Sequence, residues 1–194
     1  CCISRAPVRE ALYQLEAEGL LMSHPKRGKC VTILTPDGIR NSYELSGLLE
    51  SAAAVNAAKG LSAEVHGKLA ALVGRMREAV RAGGAFEEHA SLGTEFHETI
   101  LSLSDNPLIR SLASRSSRVI SKFLMYERWR TLYTPEELYD RHNRIYEALC
   151  SGERRRIENA VREHYAESAE RLARYCVPPD DKPRGTGKAH FPEE

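Results

Sequence analysis

The chain has 194 residues, 42% of them apolar and 28% charged, which is ordinary globular usage with room for one core and a small module. No apolar run approaches the about 18 residues of a membrane span, so none is expected. The five cysteines (Cys1, Cys2, Cys30, Cys150, Cys176) show neither paired ligand spacing nor disulfide density, which suits a reducing cytoplasm. A net charge of +1 conceals an asymmetry: residues 1–34 hold five Lys and Arg against three Asp and Glu, and the remainder 23 against 24. That is a weak pointer to nucleic acid at the N-terminal end. No internal repeat is visible.

In chain order, Ser4 is a good N-cap, Pro7 sits in a first turn where its missing N–H costs nothing, and Val8, Ala11, Leu12 and Leu15 recur at helical spacing. A helix is therefore expected from about Ser4, closed by Gly19 after Glu18. Leu20, Leu21 and Met22 form a short apolar run, Pro25 to Lys29 a basic turn, and Val31 to Ile33 an alternating strand. Arg5 and Arg9 stand one turn apart on the helix, and Arg27 stands at the tip of the turn. By composition alone this is equally an amphipathic helix followed by a surface hairpin.

Beyond Thr35-Pro36-Asp37-Gly38, a turn that starts a helix, the periodicity from Ile39 to about Cys176 is helical with almost no β signal. The stripes are Ile39, Tyr43, Leu45/Ser46, Leu49, Ala53; Val65, Leu69, Leu72, Met76, Val80; Leu92, Phe96, Ile100, Leu103; Leu108, Leu112, Val119, Phe123; Leu138, His142, Ile145, Leu149; and Ile157, Val161, His164, Ser168, Leu172. Breaks at Gly60, Gly83-Gly84, Asn106-Pro107, Thr134-Pro135 and Gly152 divide them. The expected fold is an all-α bundle of about six antiparallel helices, preceded by the helix and β-wing. Residues 177–194, rich in Pro, Gly and charge, are expected to be disordered or draped on a surface.

Three histidines fall on inward faces. His97 lies beside Phe96, and His142 and His164 interrupt apolar stripes. His142 and His164 stand 10 and 12 residues either side of Gly152. In a tight hairpin that puts each about 15 to 18 Å from the turn, at one height on neighbouring helices. Buried imidazoles that converge need hydrogen bonds or a metal, because an unpaired buried polar group costs about 1 to 3 kcal/mol.

Ser4-Arg-Ala-Pro-Val-Arg-Glu-Ala-Leu, Leu-Glu-Ala-Glu-Gly-Leu-Leu at 15–21 and Lys-Arg-Gly-Lys at 26–29 resemble the second half of the GntR-family winged helix-turn-helix. The resemblance implies that the helix enters the major groove while the wing reaches the backbone or minor groove. Ser4, Arg5 and Arg9 would then contact operator phosphates and bases, and Arg27 and Gly28 would form the wing tip. Residues 1–36 would be a partial head whose two supporting helices are absent from this chain.

Residues 43 to 175 similarly resemble the helical FCD effector domain of the FadR subgroup. The resemblance rests on Glu95-Phe-His-Glu-x-Ile-Leu running on to Asn106-Pro-Leu, on Arg141-His-Asn-Arg-Ile-Tyr-Glu-Ala-Leu, and on Ala160-Val-Arg-Glu-His. Residues 37–176 would be the ligand-binding and dimerisation domain. Many members hold a divalent metal through three His and an Asp one turn before the first, with a carboxylate effector at or near it. His97, His142 and His164 match the three His, and the Asp position is Gly93. The family often has an Arg four residues before the Glu that matches Glu50; here it is Ser46. Ser46, Gly93 and Asn143 are expected at the effector pocket.

Three neutral His can hold Zn²⁺ or Ni²⁺ with water in the open positions, so the missing Asp need not abolish binding. Glu95 should point to another face, and His89, two turns from His97, is too far for the same ion. A metal-free pocket is the alternative. A three-His zinc site is also a hydrolase arrangement, but Glu98 should point elsewhere, and no Ser-His-Asp set, nucleophile elbow or phosphate-cradling loop is visible. No enzyme is expected. The resemblance implies a cytoplasmic, homodimeric, ligand-responsive transcriptional regulator, its two-fold symmetry matching a palindromic operator.

Overall fold

The computed structural model describes residues 4–116 and 124–176. The expected helix is α1 (Arg5–Ala17), and Ser4 occupies its cap position, but the Ser4 hydroxyl makes no capping bond. The helix closes where the Leu20 N–H reaches the Leu15 carbonyl at 2.9 Å around Gly19, whose φ of 81° is one that side-chain-bearing residues rarely adopt. Strands β1 (Leu21–His24) and β2 (Gly28–Val31) pair antiparallel, with Leu21 opposite Val31 and His24 opposite Gly28.

The second strand therefore starts inside the expected basic turn and ends at Val31, not at Ile33. The reason is local: the Arg27 N–H closes a turn onto the His24 carbonyl, and Gly28, at φ 72°, returns the chain to the ladder at once. Ile33 lies past the pairing and is 70% exposed. Lys29 and Ser23 on the wing both bond Glu16, which ties the hairpin to the end of α1.

Thr35 caps α2 (Pro36–Ala58) by accepting from the Gly38 N–H at 3.0 Å, and Ser62 caps α3 (Ala63–Ala82) by accepting from Val65. After these come α4 (Phe86–Ser102), α5 (Pro107–Ser116), the single turn α6 (Tyr126–Trp129), α7 (Pro135–Ser151) and α8 (Arg154–Ala173). Helix α7 opens with a reciprocal capping box between Thr134 and Glu137 and ends at Gly152, at φ 67°, which turns the chain into α8. The helices that follow the wing thus match the expected bundle, with α6 as an extra turn too short to show a period.

The core runs through Ile39, Leu69, Phe96, Ile100, Ile145 and Val161, all fully buried. Each such side chain contributes roughly 1.5 to 3 kcal/mol by leaving water. Leu45, Leu108 and Leu112, read as inward, are exposed, whereas Ser46 beside Leu45 is buried. Val119 and Phe123 of the same expected stripe, and the tail from Val177, lie outside the described residues.

Helix α2 packs along α8. The approach is close because Gly47 has no side chain: a Cβ there would stand 3.3 Å from the Tyr165 Cβ. One turn later α2 presents Glu50 to Tyr165 and to α4, and α7 packs on both α4 and α8. Four helices therefore meet around one point. No helix among the described residues is long and apolar enough to cross a membrane.

Candidate functional site

His97 from α4, His142 from α7 and His164 from α8 meet with ring centroids 4.8 to 5.1 Å apart. Helical period and the Gly152 turn bring the last two to one height, and Phe96 sets its ring edge-on to both His97 and His142. One ligand atom from each of the three lies within 4.8 Å of the others.

Two of the three rings are oriented by what their Nδ1 atoms meet. The His142 Nδ1 lies 2.6 Å from the Leu138 carbonyl, which can only accept, so that nitrogen carries the proton and Nε2 keeps its lone pair. His97 Nδ1 lies 2.6 Å from Glu50, a fully buried carboxylate that also accepts from the Tyr165 hydroxyl at 2.6 Å. Burial, and then the neighbouring Glu50 charge, push the Tyr165 hydroxyl well above its ordinary value, so it remains a donor. His97 Nε2 faces His164 Nε2 at 3.1 Å, and His164 Nδ1 is buried without a partner among the described residues.

Burial, followed by the proximity of His97, pulls His142 down to about 3. Burial and the Arg141 charge hold His164 well below its usual value. Both are neutral at physiological pH, the protonation state in which imidazole ligates a metal. Three converging rings, two of them fixed through Nδ1 by an acceptor and turning Nε2 inward, make a donor set that suits a divalent cation. Glu95 is not part of this group; it is exposed and lies 3.8 Å from Lys68 and 3.9 Å from Arg75.

The cluster forms one side of a cavity of about 650 Å³, walled also by Tyr43, Tyr126, Trp129 and Tyr133. Arg141, 3% exposed, lines it too; its guanidinium bonds Glu167, the His164 carbonyl and Ser168, and lies 4.1 Å over the Tyr133 ring. Gly93 lines the cavity, and a Cβ there would stand 3.0 Å from His142 Nε2. The His142 ring thus occupies space that any side chain at 93 would contest.

The other two expected pocket residues are elsewhere. Ser46 is buried against α5, with its hydroxyl 2.6 Å from that of Ser116, and Asn143 donates to Glu147 at 2.8 Å on another face of α7; neither lines the cavity. Glu98, expected to point away, does line it. Sequence reasoning missed Glu50 as the partner of His97, Arg141, and the cavity-wall position of His89. Glu50 was detectable as a lone carboxylate one turn from Ser46 on an inward stripe.

On the head, Arg5 and Arg9 are exposed on one side of α1, and Ser4, Arg27 and Gly28 are exposed around its start and at the wing tip. They form two separate groups, joined through the short hairpin.

Comparison with known proteins fits this architecture. The FCD domain family matches residues 41–167. The HTH-type transcriptional repressor RspR of Escherichia coli K12 is 26% identical over 172 residues, spanning 87% of this chain and 73% of that protein. The HTH-type transcriptional regulator YdhC of Bacillus subtilis is 25% identical over 170 residues, spanning 88% and 75%. Among solved structures, E. coli McbR/YncC superposes with a TM-score of 0.67 at 20% identity, over 89% of this chain and 81% of that one, which speaks for the fold. The chain belongs to the GntR-type transcriptional regulators that carry an FCD domain, and is a regulator rather than an enzyme.

Proposed function

We propose that the helical bundle senses a small organic carboxylate through a divalent cation, Zn²⁺ or Ni²⁺, held by His97, His142 and His164. The observation that carries this reading is the convergence of three imidazoles, two of them fixed through Nδ1, on the wall of a cavity large enough for a metabolite. A cation there supplies a positively charged anchor with open positions for a carboxylate oxygen. The chain's own contributions are the Glu50–Tyr165 support that orients His97, and the aromatic walls that keep water from the body of the ligand.

The head would act on operator DNA through Arg5 and Arg9 at bases and phosphates, with the uncapped Ser4 hydroxyl and the Arg27–Gly28 wing tip on the backbone. A cytoplasmic homodimer would place two such heads on a palindromic site. Effector binding shifts the population between head arrangements and so changes operator affinity.

A metal-free pocket is the second reading. It is favoured by Gly93 standing where the family carries an Asp and by the direct 3.1 Å contact between His97 Nε2 and His164 Nε2, which lets the cluster bond to itself. Metal analysis of protein purified without chelator separates the two: about one equivalent in the wild type and little in His142→Ala supports the metal centre. A wild type free of metal, and unresponsive to added Zn²⁺ or Ni²⁺ in calorimetry, ends it in favour of the second.

A further inference from the structure

His89 is a buried imidazole that the three-histidine cluster does not use. It lies in the first turn of α4, 2% exposed and part of the cavity wall, and neither of its ring nitrogens has a hydrogen-bond partner among the described residues. A buried imidazole left with both nitrogens idle is costly, and such a group at the wall of a ligand-sized cavity is explained by a partner that arrives with the ligand.

Its position relative to the cluster follows from the helix. His89, Gly93 and His97 stand at i, i+4 and i+8, one face of α4, with about 12 Å along the axis between the outer two. Gly93 adds no side chain between them. The cavity thus has two nitrogen-bearing regions on one helix, separated by two turns, with the rings of Tyr126 and Trp129 among its other walls.

The chemistry of each end selects a different group. A neutral imidazole offers one donor and one acceptor, and a hydroxyl can answer either. A second carboxylate can only accept, and Glu87, Glu95 and Glu98 line the same cavity and oppose it. We infer that His89 is a specificity-determining contact for the hydroxyl of a hydroxycarboxylate effector whose carboxylate sits at His97, His142 and His164. This rests on the carboxylate-sensor reading above.

Three acids that differ only at the far end test it: hexanoate, 6-hydroxyhexanoate and adipate, titrated calorimetrically into the full chain with Zn²⁺ present. The wild type binds 6-hydroxyhexanoate about five- to tenfold more tightly than hexanoate, the worth of one hydrogen bond, and more tightly than adipate. His89→Leu removes that preference and leaves hexanoate affinity unchanged; His89→Gln retains part of it. Without ligand, His89→Leu melts at or above the wild-type temperature, because an idle imidazole has been replaced by an apolar side chain. Hexanoate binding with no hydroxyl preference in the wild type overturns the role of His89 alone. So does a His89→Leu protein that melts many degrees lower without ligand, which would mark a purely structural residue. If none of the three acids binds the wild type, the carboxylate reading itself falls and takes this inference with it.

Discussion

Helix α1 buries none of its 13 residues, whereas α4, with 17, buries seven, among them Leu92, Phe96 and Ile100. Both have apolar residues at helical spacing, so the difference lies in what packs on them. Helix α4 is covered by α2, α3 and α7, while the apolar face of α1 leaves Val8 47% and Tyr13 58% exposed. The head is held by polar contacts at its edges, Glu16 with Lys29 and Ser23, and the Thr32 hydroxyl on the Gly19 carbonyl at 2.7 Å. The bundle is held by its core, and it can therefore fix a ligand cluster in place while the head remains responsive to what touches its rim.

The largest expected effect tests that division directly. Phe96→Ala empties a fully buried site against the His97 and His142 rings and should cost about 3 to 5 kcal/mol in urea unfolding of the whole chain. Val8→Ala should stay within about 0.5 kcal/mol. A comparable loss for Val8→Ala would mean that the apolar face of α1 is covered in solution, by a second copy or another chain, and the contrast would collapse.

Next in size is Gly93→Ala. The new Cβ would meet His142 Nε2 at 3.0 Å and its Cε1 at 3.1 Å, so a ring tethered by Nδ1 to Leu138 must move by a few tenths of an ångström. Metal affinity, measured by competition with a chromogenic chelator, should fall about 10- to 100-fold, as when a ligand loses its orienting surroundings. Unchanged affinity would show that the position of His142 is not what matters at 93. Thr134→Ala comes after it: removing one half of the capping box at the start of α7 should cost about 1 kcal/mol of stability with no change in metal affinity, since His142 lies two turns further on.

The approach of His142 to His164 could be read from the chain because it follows from two regular quantities, the helical period and a glycine that reverses the chain at a countable distance; the period also turns His97 inward, and the family resemblance joins it to them. What could not be read are the places where the period leaves a choice between neighbours. At Leu45/Ser46 the apolar residue is the natural inward guess, yet α5 lies close enough that Ser116 bonds Ser46, and Leu45 turns out. Leu108 and Leu112 sit on a helix of 10 residues, too short for its stripe to be tested against a full turn of neighbours. Asn143 is one position from His142, and that step of 100° carries it off the cavity face. The Glu50–His97 bond joins α2 to α4 across 47 residues of sequence, and the Tyr165 bond to the other Glu50 oxygen sits where Gly47 lets α2 approach α8; no local pattern encodes either.

The smallest expected effect concerns a helix that touches both regions. Helix α5 lines the cavity at Ala113, bonds α2 through Ser116 and Ser46, and donates from Arg115 to the Ala17 carbonyl at the last turn of α1. A cation on the exposed C-terminal carbonyls of a helix is worth about 0.3 to 1 kcal/mol, so Arg115→Ala should barely move the global unfolding transition. Its effect should appear in hydrogen exchange: faster exchange in the last turn of α1 and no change in α4 or α8, because local opening of the head does not require opening the core. If ligand binding in the cavity slows exchange in α1 of the wild type, the same ligand should leave α1 of Arg115→Ala unaffected, since the strut between cavity wall and head is gone. An α1 that responds to ligand equally in both proteins would remove α5 as the link and shift attention to the Thr35–Gly38 entry into α2, the covalent route between the two regions.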